Sequence, residues 1–169
     1  AYPVDVDKDG DIDIVGVAEV ATLSAILKDK VAWYENDGSL NFTEHIVDAT
    51  PPQRPEDTFA TDMDGDGDID ILVAASINFI GWYENDGSQA FARHEIGAGE
   101  SQPREIHAAD VDGDGDMDVI SAHELLDEVA LWTNDGSQNF ARQSVTTSAD
   151  LVWDVYAADM DGDGDLDLL

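Results

Sequence analysis

Cysteine is absent from the 169 residues, so no disulfide framework can hold this chain together. Basic residues are nearly as scarce. Seven Lys and Arg stand against 39 Asp and Glu, a formal charge of −32. A chain this short of cations lacks the side chains that neutralise phosphates, which excludes nucleic-acid binding, and an anionic membrane surface would repel it. No apolar run approaches the roughly 18 residues that a membrane span needs, so no membrane insertion is expected. The opening AYPVDVDKDG is already part of a motif, so any secretion signal would have to lie upstream or have been removed.

What is present repeats. DVDKDGDIDI begins at Asp5, DMDGDGDIDI at Asp62, DVDGDGDMDV at Asp110 and DMDGDGDLDL at Asp159, with spacings of 57, 48 and 49 residues. WYENDGS recurs from Trp33 and Trp82, with WTNDGS from Trp132. The asparagines Asn36, Asn85 and Asn134 are 49 residues apart, as are Phe42, Phe91 and Phe140. An insertion of about eight residues in VATLSAILKDK lengthens the first spacing. Its residues 20–27 alone permit a helical period.

Each repeat parses into four short strands. One enters the Asp loop (EDTFATD, REIHAAD, WDVYAAD) and one leaves it (IDILVAAS, MDVISAH). The third and fourth flank Asn-Asp-Gly-Ser, a tight-hairpin signal. Four antiparallel strands every 40–50 residues describe a propeller blade. The expected fold is therefore all-β, with about three and a half blades. Blade 1 spans about 1–50, blade 2 about 56–98, blade 3 about 104–147 and a half blade about 152–169. The chain starts inside a first strand and stops inside a second. A closing LDLL left as an unpaired apolar edge is something proteins avoid. The expectation is thus a longer chain, or a ring completed by other copies.

The Asp loops carry the chemistry. In the second repeat, Asp62, Asp64, Asp66 and Asp70 occupy positions one, three, five and nine, Gly67 the sixth, and Asp68 the seventh, which usually gives its backbone carbonyl. The matching sets are Asp5, Asp7, Asp9, Asp11 and Asp13; Asp110, Asp112, Asp114, Asp116 and Asp118; and Asp159, Asp161, Asp163, Asp165 and Asp167. Carboxylates about 4 Å apart repel by roughly 1–4 kcal/mol per pair unless a cation lies between them. Ca²⁺ suits such oxygen-rich loops, whereas Mg²⁺ prefers to keep its waters. One Ca²⁺ in each of the four loops would move the charge from −32 to −24. An EF-hand needs a Glu at position twelve, and Gly16, Val73 and Ser121 stand there. In the first loop Lys8 replaces glycine at position four, and its charge is expected to weaken that site.

These residues resemble the FG-GAP/VCBS repeats of integrin α-subunit propellers and many bacterial secreted proteins. The resemblance rests on DxDxDGxxD, entered by an Ala-Ala-Asp-like strand and followed by an apolar one, and on WYENDGS with F-x-x-H. It covers essentially the whole chain. It implies a propeller whose Asp loops bind Ca²⁺ between the first two strands of each blade.

Other residues are weighed against packing. Tyr2, Phe59, His107 and Tyr156 each stand three before a loop, as core or as a ring of stacking platforms. Trp33, Trp82 and Trp132 fit between blades, with sugar stacking as the alternative. Trp153 falls in no repeat column. His45 and His94 match each other, with Gln143 in the third copy. His123 and Glu124 have no partner in the sequence. Asn41-Phe42-Thr43 is a glycosylation sequon. No nucleophile motif, phosphate loop or zinc set is present, so no enzyme is expected. The expected function is an extracellular calcium-binding structural or adhesion module whose partner is a protein or other copies of itself. The alternatives are a carbohydrate-binding propeller and an accessory domain of a polysaccharide-acting enzyme. Differing loops between blades (ATPPQRPED, GAGESQPRE, TTSADLVWD) speak against a sugar site repeated in each blade.

Overall fold

The computed structural model describes residues 1–18 and 29–169, and at residues 98–101 the backbone alone. The insertion at residues 20–27 lies outside the described residues. The first sheet holds β1 (Tyr2–Val4), β2 (Asp13–Ala18), β3 (Lys30–Asn36) and β4 (Phe42–Asp48). The second holds β5 (Pro55–Thr61), β6 (Asp70–Ala75), β7 (Ile77–Asn85) and β8 (Phe91–Ser101). The third holds β9 (Pro103–Ala109), β10 (Asp118–His123), β11 (Glu128–Asn134) and β12 (Phe140–Thr146), with a 3-10 turn at Glu124–Leu126. A two-stranded sheet of β13 (Ala157–Ala158) and β14 (Asp167–Leu168) follows. In every sheet the strands lie in chain order, each antiparallel to the next. The fold is all-β and built from four-stranded antiparallel sheets, as the repeat pattern predicts.

The sheets pack face to face. Val15, Val31 and Trp33 meet Ile71, Val73 and Tyr83 between the first and second sheets. Leu72, Ile80 and Trp82 meet Ile106, Val119 and Trp132 between the second and third. Ile120, Ala122 and Leu131 meet Val155 and Ala157 beyond. A sheet covered on both faces needs apolar side chains on both. That is why β6 reads DILVAA without alternation and is buried throughout.

Strand register separates two tryptophan positions. Trp33 pairs with Val15 and Trp82 with Leu72, but Trp132 pairs with Val119 in the place where Tyr83 pairs with Ile71. Trp132 thus belongs to the column of Tyr83, and Leu131 holds the place of Trp82. Successive strand residues point to opposite faces, so Trp132 turns back towards the second sheet. All three tryptophans pack between sheets, at 2%, 2% and 4% exposure.

The first strands form the inner side, and the largely exposed β4 and β12 the outer. Along the inner side Tyr2 meets Phe59, Phe59 meets His107 and His107 meets Tyr156, with ring centroids 4.6, 4.5 and 4.6 Å apart. The predicted aromatic column therefore packs on itself. Two residues earlier stand Asp57, Glu105 and Asp154. Burial, then Asp57 and Asp154, push the Glu105 carboxyl up to about 8.

Polar contacts tie the sheets together. Asp48 accepts from Tyr83 Oη at 3.0 Å and Arg93 Nη1 at 3.2 Å. Asp57 accepts the Ile106 amide at 3.2 Å. Arg104 contacts Glu56 at 2.8 Å and Glu124 at 2.6 Å, and its guanidinium lies 5.4 Å from the Trp153 ring centroid. Trp153 is thus placed in a column after all: it follows Glu56 and Arg104, each six residues before a loop.

Candidate metal centre

Each Asp loop joins a first strand to a second, at the same end of its sheet as the Asn-Asp-Gly-Ser hairpin. Its turn is built by carboxylates accepting the loop's own amides. Asp62 Oδ1 takes the Gly65 N–H at 2.8 Å and Oδ2 the Gly67 N–H at 2.9 Å. Asp110 and Asp159 repeat the arrangement. The position-three carboxylate accepts from the residue two further on, as in Asp64 with Asp66 at 3.2 Å. Position five does the same, as in Asp66 with Asp68 at 2.8 Å. Position six has φ between +94° and +99° in all four loops, a backbone that glycine adopts without strain. Position four lies at φ +76° to +78° in three loops and +63° at Lys8, close enough to the left-handed region for a side chain.

Position nine joins loop to hairpin. Asp70, fully buried, accepts the Met63 N–H on Oδ2 and the Asn85 N–H on Oδ1, both at 2.8 Å. Asp13 does this with Val6 and Asn36, and Asp118 with Val111 and Asn134. The asparagine completes the clamp. Asn85 Nδ2 donates to the Ile69 carbonyl at 3.2 Å, and its Oδ1 accepts the Gln89 amide at 3.1 Å. Sequence reading takes Asn36, Asn85 and Asn134 as hairpin markers only. Their recurrence at a fixed place ahead of Asp-Gly was the signal for this second role.

The side chains of positions one, three and nine converge in three loops: Asp5, Asp7 and Asp13; Asp110, Asp112 and Asp118; Asp159, Asp161 and Asp167. In the second loop Asp62, Asp64 and Asp66 do so. Within each group one oxygen per residue lies within 4.8 Å of the others. That span matches two calcium–oxygen bonds of about 2.3–2.6 Å meeting at one ion. Asp9, Asp114, Asp163 and Asp70 stand outside these groups. The position-seven carboxylates point elsewhere. A Cβ on hairpin Gly38, Gly87 or Gly136 would come within 2.5, 2.7 or 2.5 Å of Asp11, Asp68 or Asp116 Oδ2. These three side chains lie against the hairpin glycines.

The residues fit a divalent cation. Asp5 Oδ1 is buried without a hydrogen-bond partner, a costly state for a carboxylate oxygen unless something positive meets it. Burial, above all, raises Asp7, Asp64 and Asp118, and pushes Asp70 up to about 7. Each of these groups gains from a neighbouring positive charge. Asp5, Asp7 and Asp13 would hold the ion in the first loop, and the matching groups in the others. Such an ion would supply charge neutralisation and cross-linking of the loop.

Lys8 reaches beyond the loop it stands in. Its ammonium leaves its own loop and meets Asp68 Oδ1 of the second at 2.5 Å, so its charge falls on the neighbouring loop.

Four-stranded antiparallel sheets, stacked and each carrying an Asp-rich loop between its first two strands, define a β-propeller-like repeat protein. The chain belongs to the family of FG-GAP-like repeats, whose model matches residues 5–73, 62–121 and 121–169. No curated protein and no solved structure matches it.

Proposed function

We propose that this chain is an extracellular calcium-binding interaction module, in which the ions stiffen one end of the stacked sheets and the exposed surfaces engage a protein partner or other copies of itself. The observation that carries this reading is that three carboxylates converge in each of the four loops, at positions one, three and nine in three of them and one, three and five in the second, with Asp5 Oδ1 buried and unsatisfied in the first. Extracellular modules bind Ca²⁺ with dissociation constants of about 10⁻⁴–10⁻³ M, an affinity that fills such sites outside cells and leaves them empty in cytosol. That range is the reason for the location. Among the described residues no helix is long and apolar enough to cross a membrane.

Catalysis has little support. The Ser121 Oγ–His123 Nε2 pair, at 2.9 Å, is fully buried, and Trp132 Nε1 donates to the same Oγ at 3.0 Å. Sugar stacking on Trp33, Trp82 or Trp132 is opposed by their burial. The test is a thermal melt in millimolar Ca²⁺ and in EDTA, with calorimetric titration. Four ions per chain and a melting temperature lowered by 10 °C or more in EDTA are expected, since ligand bound to the native state stabilises by mass action. An unchanged melt would sink the calcium reading.

A further inference from the structure

Position four is where the loops differ. Lys8 holds it in the first loop at φ +63°, and Gly65, Gly113 and Gly162 hold it in the others. The Lys8 ammonium reaches across to Asp68, position seven of the second loop, at 2.5 Å. The two loops carry ten aspartates between them and this single lysine. An isolated exposed ion pair contributes little. Here the same contact sits in a strong negative field, and it removes repulsion between two neighbouring loops.

The next junction lacks it. Asp62, Asp64 and Gly65 of the second loop face Gly115, Asp116 and Met117 of the third across a cleft of about 190 Å³. Asp116 is the counterpart of Asp68, and glycine stands where the ammonium would come from. A Cβ at Gly65 would meet no atom within 4 Å, so the packing leaves room for a lysine, at the backbone cost that any side chain meets at φ +77°.

We propose that Lys8 is the protein's own counter-ion at the junction of loops one and two. It keeps these loops docked whether or not calcium is bound. Loops two and three, with glycine at that place, rely on the ions they hold to relieve their repulsion. The second half of this inference rests on the calcium reading above; the first half does not.

The experiment compares melts of the wild type, Lys8→Met, Asp68→Asn, the double variant, Gly65→Lys and Gly65→Met, in EDTA at low ionic strength and in saturating Ca²⁺. Methionine keeps the stem and the backbone conformation and removes the charge. Lys8→Met should lower the melting temperature in EDTA by about 2–4 °C and clearly less in Ca²⁺. Asp68→Asn should not lower the Lys8→Met melt further, because without the ammonium the Asp68 charge only adds to the repulsion between the loops. Compared with Gly65→Met, which carries the same backbone strain without the charge, Gly65→Lys should raise the EDTA melt and narrow the gap between the two conditions. Additive effects of Lys8→Met and Asp68→Asn, or a Lys8→Met melt equal to wild type in EDTA, would overturn the proposal. A Gly65→Lys variant whose gap between EDTA and Ca²⁺ equals that of Gly65→Met would overturn its second half. A wild-type melt indifferent to Ca²⁺ overturns the calcium reading instead, and the Lys8–Asp68 coupling in EDTA is still read.

Discussion

The first two sheets and the third solve the same problem differently at their outer strands. In the first, Trp33 stacks on His45 with centroids 4.4 Å apart, and His45 Nε2 meets Glu35 Oε2 at 2.6 Å. In the second, Trp82, His94 and Glu84 repeat this at 4.8 and 2.7 Å. In the third all three members are exchanged. Leu131 pairs with Gln143 across β11 and β12, and Thr133 takes the place of the glutamate. The third sheet supplies its tryptophan on the opposite face, where Trp132 leans on a buried Ser121–His123 pair. Yet position-nine Asp and hairpin Asn keep the same bonds in all three sheets. The loop-to-hairpin clamp is the invariant part of the repeat, and the outer face is free to vary in correlated sets.

That contrast can be broken most severely at the clamp. Asp70→Ala and Asp118→Ala each leave two buried amides without an acceptor, at about 1–3 kcal/mol per group. Urea denaturation in EDTA, where the part of Asp118 in holding an ion drops out, should show losses of about 2–6 kcal/mol, similar in the two sheets. A negligible loss for Asp118→Ala would mean that the clamp is not shared. Next in size is Trp82→Ala, at about 3–5 kcal/mol, against about 2–5 for Leu131→Ala; a larger loss at Leu131 would erase the distinction between the second and third sheets in this column.

Glu105 allows a pH test at the inner side. Its folded value of about 8 lies above its ordinary 4.5. The stability associated with its protonated form is therefore present below about 4.5 and lost as pH rises through about 8. In saturating Ca²⁺ the melting temperature should fall between pH 5 and about 8.5, and Glu105→Gln should flatten that slope. The smallest expected effect is that of His94→Gln. It removes the stacked pair in the second sheet for about 0.5–1.5 kcal/mol, read by a double-mutant cycle with Trp82.

Much of this was legible beforehand. The period, the four strands, the Asp-Gly hairpins and the Asp loops follow from spacing and from residue types with few alternatives. The side-chain direction of Trp132 did not follow from aligning tryptophans. Trp33 and Trp82 precede their asparagines by three residues and Trp132 by two, and a one-residue slip in a strand reverses the face. The convergence of three carboxylates per loop was readable, but which three was not, because Asp66 rather than Asp70 joins the second group. The partner of Lys8 was not legible for a related reason. Sequence places a residue in its own loop, and only packing shows that a long side chain is used by the neighbour. Trp153 stood outside every column until the inner strands were laid side by side.

The hydrogen bonds from position nine to the hairpin span 23, 15 and 16 residues, and every strand pairs with its immediate neighbours in the chain. A chain whose pairings are this short-ranged meets little loop-closure entropy on the way to each sheet. Each loop and its hairpin can find one another before the following repeat has left the ribosome, so the order of synthesis can serve as the order of assembly.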